Sequence, residues 1–143
     1  ELSGMNFMAL INSELHTPAL SNTILAGVTR ASILQIANSM GIKTVERVIS
    51  ITELLKDIAS GACREVFACG TGAIICPIEK IGEEKGIKIP LLDVNRMALK
   101  FKKHLLDIQE GQTDDPFGWT ISAEDPVQLY NRFLSELNKS KSF

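Results

Sequence analysis

The sequence predicts an α/β domain built on a mixed β-sheet with flanking helices, with an α+β arrangement as the variant. Three observations carry this. Apolar runs of strand length alternate with amphipathic stretches of helix length. Asn12-Ser13 is a turn signal close behind the first apolar run, so that run returns as an antiparallel hairpin. Gly41, Gly61 and Gly111 each follow the last apolar residue of a helical stretch, where a left-handed residue ends a helix. Alternation alone would suggest a doubly wound parallel sheet. The hairpin signals argue for a mixed one.

Met5 to Ile11 is a continuous apolar run and reads as a buried strand, with Glu14 to Thr17 as its hairpin partner and Pro18 ending it. Residues 18 to 29 form a loop. Arg30 to Met40 reads as a helix, because Ile33, Leu34, Ala37 and Met40 share one face. Thr29 is its expected N-cap and Gly41 its C′ residue. Lys43 to Ile49 reads as a strand. Ser50-Ile51-Thr52-Glu53 has the form of a capping box, placing a second helix from Ile51 to about Ser60. Glu65 to Ala68 and Ala73 to Ile78 read as strands on either side of a Gly/Thr turn, and Ile87 to Ile89 as a short one. Asp93 or Asn95 should cap a long helix with Met97, Ala98, Phe101, Leu105 and Ile108 on one face. Asp114 to Gly118 is a turn.

A length of 143 residues is one domain with room for a core. A net charge of −2 argues against a nucleic-acid-binding stripe, and no apolar run reaches membrane-spanning length. Three cysteines, Cys63, Cys69 and Cys76, are odd in number and form no CxxC, so reduced thiols of a cytoplasmic protein are expected and no metal site is. The chain opens on Glu1 within what reads as strand-like sequence, and the expectation is a piece of a longer protein.

Two Gly/Thr turns are the candidate chemistry. Ala26-Gly27-Val28-Thr29-Arg30 opens the first helix, and Cys69-Gly70-Thr71-Gly72-Ala73 joins two strands. Each offers backbone N–H groups and a threonine hydroxyl, which suit a phosphate or a carboxylate. In the first, Val28 and Thr29 could donate N–H groups while Gly27 allows close approach. The plainer alternative is that Thr29 only caps its helix.

Three stretches resemble one family. They are Glu1-Leu2-Ser3-Gly4-Met5-Asn6-Phe7, then Thr17–Arg30 (TPALSNTILAGVTR), then Glu65–Pro77 (EVFACGTGAIICP). In order and spacing they are similar to the C-terminal part of branched-chain amino-acid aminotransferases, pyridoxal-phosphate enzymes of fold type IV, whose large domain holds a mixed-sheet pseudo-barrel. The resemblance runs from Glu1 to about Thr120. It implies domain limits of 1–121 for the cofactor-binding part and 122–143 for an added helical tail, in which Val127, Tyr130, Phe133, Leu134 and Leu137 make an apolar stripe.

The resemblance also implies roles. Glu1 would hold the pyridine nitrogen of pyridoxal 5′-phosphate, Leu25 would pack on its ring, and Val28, Thr29 and Thr71 would bind its phosphate. Thr71 and Gly72 N–H groups would face the substrate carboxylate. The lysine that joins the cofactor covalently would lie upstream of Glu1, so this chain holds no catalytic lysine and alone should be inactive. Two residues depart from the family: Ala26 stands where proline is usual, and Gly72 where alanine is usual. Cys76 matches one half of a redox pair found in some members, but its partner position is Ala73.

The expected whole protein transfers amino groups between Leu, Ile or Val and 2-oxoglutarate, works in the cytoplasm as a homodimer or larger homo-oligomer, and includes the missing N-terminal part. The alternatives are a D-amino-acid aminotransferase or aminodeoxychorismate lyase of the same fold, against which the Glu65–Pro77 wording argues, and a non-catalytic interaction module derived from it.

Overall fold

A computed structural model describes residues 1–82, 88–90, 96–121, 127, 130–132 and 134. Five strands form one mixed sheet: β1 (Asn6–Ile11), β2 (Glu14–Pro18), β3 (Thr44–Arg47), β4 (Cys63–Gly70) and β5 (Ile74–Ile78), in the order β3-β2-β1-β4-β5. The β1–β2, β1–β4 and β4–β5 pairs are antiparallel, and β2–β3 is parallel. β6 (Lys80–Gly82) and β7 (Lys88–Pro90) make a separate antiparallel pair. The helices are α1 (Val28–Ser39), α2 (Ile51–Ser60) and α3 (Arg96–Gln109). The mixed sheet predicted from the hairpin signals is therefore present. The parallel pair arises because α1 carries the chain across between β2 and β3.

Side chains alternate across the sheet and build two cores. Met8, Leu15, Phe67, Cys69 and Ile75 pack against α1 and α3, where Ile33, Ile36, Phe101 and Leu105 complete the larger core. Ala9, Ile11, Cys63 and Val66 face Leu54 and Ile58 of α2 on the other side. The result is three layers, with two helices above the sheet and one below. α3 buries Ala98, Phe101, Leu105 and Ile108, the face its spacing predicts, and Phe67 meets Phe101 with ring centroids 6.1 Å apart.

Several boundaries differ from the sequence expectation, each for a local reason. α1 begins at Val28 rather than Arg30, and its N-cap is Gly27, with no side-chain cap bond. Thr29 is thus inside the first turn and is not the cap. Ser50 does precede α2 with extended geometry, but the capping box is not made. The Glu53 carboxylate instead accepts a bond from Arg47 Nη1 at 3.1 Å, a charged donor replacing a neutral amide. β3 stops at Arg47, leaving Val48 exposed, while β4 runs on through Gly70. Met40, Gly41 and Gly61 end α1 and α2 as expected, the glycines at φ of 75° and 79°. Asp93 and Asn95 lie outside the described residues.

In the tail, residues 127, 130–132 and 134 are helical. Within this chain alone, Val127, Tyr130 and Leu134 of the stripe are 63%, 60% and 38% exposed. Leu137 and Phe133 lie outside the described residues.

Candidate functional site

The N-terminus of α1 is open. The first intrahelical bond runs from Ala31 N–H to the Gly27 carbonyl at 3.0 Å, so the N–H groups of Val28, Thr29 and Arg30 precede it. No side chain among the described residues caps them. The positive end of the helix dipole adds to the same spot. Val28 is 83% exposed and Thr29 half-buried. A groove of about 470 Å³ runs from this end along α1, between Val28, Ser32, Leu105 and Trp119.

The loop before α1 is held from beneath. Gly27 N–H donates to the Leu25 carbonyl at 2.9 Å, closing a γ-turn with Ala26 at its centre. The Asn6 side-chain Nδ2 donates to the same carbonyl at 2.8 Å. Leu25 N–H in turn donates to Glu1 Oε1 at 2.5 Å. Glu1 and Leu25, singled out separately in the sequence, are therefore adjacent, and the Leu25 side chain stands 68% exposed beside that carboxylate. Gly27 has a different reason from the one its sequence suggests. Its φ of −68° is open to any residue, but a Cβ there would collide with Asn6 Oδ1. The close approach is by Asn6, on the inner side of the loop.

The second turn sits at the same end of the sheet. Asn6 pairs with Cys69, and Gly70 follows at once, with Met5 in van der Waals reach. Gly70 and Ile74 form the closing pair of the β4–β5 hairpin, leaving Thr71, Gly72 and Ala73 as its loop. Thr71 and Gly72 are exposed. A Cβ at Gly72 would meet nothing within 4 Å, so the alanine usual in the family would fit. Ile74 has φ of +61°, a costly conformation for a β-branched residue, and its side chain packs on the larger core. That packing offsets the strain and anchors the loop.

Three buried polar residues tie elements together, Asn6 and Arg30 at this end and Glu65 at the opposite end of the β1–β4 pair, and sequence reasoning assigns a role to none. Asn6 enters the sequence argument only as part of a motif. Arg30 is buried, bonding the Pro18 carbonyl at 2.9 Å and Glu46 Oε2 at 2.5 Å, and so ties α1 to the ends of β2 and β3. Its Nε has no partner among the described residues. Glu65 sends its carboxylate from β4 to the first turn of α3, accepting Met97 N–H at 2.7 and 2.8 Å and Ala98 N–H at 3.0 Å. For Asn6 a polar residue amid an apolar run is the available signal, since such a residue needs a partner to be buried. The partner itself lies 19 to 33 residues away for Asn6 and Glu65, beyond any local pattern.

Burial pushes the Cys63 and Cys69 thiols up to about 12, so neither is a nucleophile near neutral pH. Cys76 is exposed on β5. His16 is buried in β2, and burial and then the Arg47 charge lower its pKa. Arg47 Nε donates to its Nδ1 at 3.0 Å, so the neutral ring carries its proton on Nε2.

A model of the family described as amino-transferase class IV matches residues 1–81. Branched-chain-amino-acid transaminase 1 of Bacillus subtilis is 38% identical over 122 residues, which is 85% of this chain and 34% of that protein. The crystal structure of the branched-chain aminotransferase of Thermoproteus uzoniensis with norvaline aligns over 82% of this chain and 35% of its own, with a TM-score of 0.66 and 30% identity. The branched-chain aminotransferase of Escherichia coli aligns over 81% of this chain and 36% of its own, with a TM-score of 0.66 and 28% identity. The chain thus spans about a third of the length of these relatives. With the matched model covering the sheet from Glu1 through both turns, the chain belongs to the class IV aminotransferase family.

Proposed function

We propose that this chain supplies the cofactor-cradling part of a pyridoxal-phosphate-dependent branched-chain amino-acid aminotransferase. The observation that carries this reading is the gathering of an uncapped helix N-terminus, the Glu1 carboxylate and the second Gly/Thr turn around one residue, Asn6. The donor set fits the group. Uncapped N–H groups and two threonine hydroxyls suit a phosphate, a carboxylate suits a pyridinium N–H, and an exposed leucine offers a flat apolar contact. Glu1 binds the ring nitrogen and keeps its proton in place. Leu25 supports the ring, and Val28, Thr29 and Thr71 hold the phosphate. The Thr71 and Gly72 N–H groups orient the substrate carboxylate. When bound, the cofactor supplies an electron sink for charge developing at the substrate Cα. The covalent lysine belongs to the remaining two-thirds of the protein.

The substrates on this reading are Leu, Ile or Val with 2-oxoglutarate, and the whole protein is a cytoplasmic homo-oligomer. Ala26 and Gly72 leave the backbone donors intact, so both departures are compatible with binding. The test is cofactor affinity of the intact protein. Charge-assisted bonds contribute about 1.5–3 kcal/mol each, so Thr29→Ala and Thr71→Ala should each raise the pyridoxal 5′-phosphate Kd by about tenfold or more. Unchanged Kd in both variants would defeat the assignment. The isolated 143-residue chain should show no amino transfer from leucine to 2-oxoglutarate.

A further inference from the structure

We propose that Asn6 is the positioning residue of this site, locking the phosphate-side loop to the sheet. The inference rests on the reading above and adds a residue that touches neither cofactor nor substrate. Asn6 is 5% exposed on the central strand β1, and its backbone pairs with Cys69, just before the second turn. Its side chain points the other way along the chain's path, to the first turn. Nδ2 donates to the Leu25 carbonyl, and Oδ1 fills the space beneath Gly27. One amide therefore fixes two things at once: the height of the Leu25 backbone, and the depth at which α1 begins.

The physical basis is the accounting of Leu25. Its N–H is taken by Glu1 and its carbonyl by Asn6 and Gly27. Of these three contacts, only Asn6 reaches across from the sheet's central strand. Without it, Leu25 to Gly27 would keep their own γ-turn and the Glu1 bond but lose their fixed depth against β1. A buried amide with its donor satisfied in one geometry specifies position as well as adding stability. The glycine at 27 is the counterpart of that amide, because any larger residue displaces the asparagine. The pair behaves as one lock with two halves.

This predicts strong non-additivity. In the intact protein, Asn6→Ala should raise the pyridoxal 5′-phosphate Kd about tenfold by releasing the loop. Gly27→Ala should do at least as much by driving Oδ1 out. The double variant should bind no worse than Asn6→Ala alone, since the alanine methyl then enters vacated space. Apoprotein melting curves for all four proteins give the purely structural contribution, which the affinity cycle must exceed. Should Asn6→Ala fail to fold, Asn6→Asp keeps the shape but replaces the donor with an acceptor and adds a negative charge near neutral pH, so its Kd is read against its own melting curve. Additive losses in the cycle, or an unchanged Kd in the Asn6 variant, would overturn the proposal. Thr29→Ala measured alongside separates the two failures. If it weakens binding while Asn6 variants do not, the lock is wrong and the site stands. If it too has no effect, the site reading is at fault.

Discussion

Truncating Glu65 should unseat the start of α3. The carboxylate is only 4% exposed and accepts two backbone N–H groups, Met97 at 2.7 and 2.8 Å and Ala98 at 3.0 Å. These are first-turn donors with no intrahelical acceptor. A hydrogen bond to a charged group contributes about 1.5–3 kcal/mol. Water entering the truncated space would recover part of this, so Glu65→Ala should cost about 3 kcal/mol. Glu65→Gln keeps one acceptor oxygen but loses the charge that complements the helix dipole, and should cost about 1–2 kcal/mol. The measurement is the urea midpoint of the intact protein at constant m, since an altered slope would mean a changed unfolding transition. Amide hydrogen exchange supplies the local readout: Met97 and Ala98 should lose protection before Phe101 does. A shift under about 0.5 kcal/mol in Glu65→Ala, with those amides still protected, would refute the argument. It would mean that a nearer cap serves the helix.

Other outcomes follow from the same geometry. His16 has its folded pKa lowered, so the unfolded chain takes up its proton first as pH falls; its contribution is complete above about pH 6.5, is lost below that, with a slope of at most about 1.4 kcal/mol per pH unit, and should vanish from the pH–stability curve of His16→Gln. Gly72→Ala meets no neighbour and should raise stability by about 0.4–1 kcal/mol in thermal melts, with cofactor affinity retained. Deleting residues 123–143 from the intact protein should leave the substrate KM nearly unchanged while lowering stability or altering assembly in sedimentation, whereas a large KM rise alone would show that the tail shapes the pocket.

Periodicity makes the elements legible and leaves their partners hidden. The α3 stripe of Ala98, Phe101, Leu105 and Ile108 is visible in the sequence, and it is buried. The tail stripe of Val127, Tyr130 and Leu134 has a similar pattern and is exposed in this chain. An apolar face shows that something should cover it and says nothing about what does. Caps fail for a related reason. Ser50 and Glu53 satisfy the local rule, yet Glu53 is taken by Arg47, which the sheet brings near. Glu65 caps a helix 32 residues downstream, a link made only by tertiary structure. The two turns are legible because their chemistry is local: small residues, a hydroxyl and free N–H groups in one short stretch. What supports them is not local, so Asn6 and Arg30 carry no role in the sequence alone.

Glycine shows the same division within a single residue type. Gly61 is needed for its backbone, at φ of 79° where a side chain is strained. Gly72 has open space around it. Gly27 has an ordinary φ and no room, because Asn6 fills the place of its side chain. Sequence presents all three alike. Only the last bears on how the loop can bind an anion. A loop pinned from inside by an asparagine keeps its outward N–H groups uncommitted, and those of Val28 and Thr29 are the ones without a side-chain cap. Had a side-chain cap occupied those donors, the helix end would have been stabilised by its own sequence and closed to a ligand. Placing the polar support beneath the loop, with no cap from a described side chain at the helix end, is what lets one stretch of chain be both fixed and open.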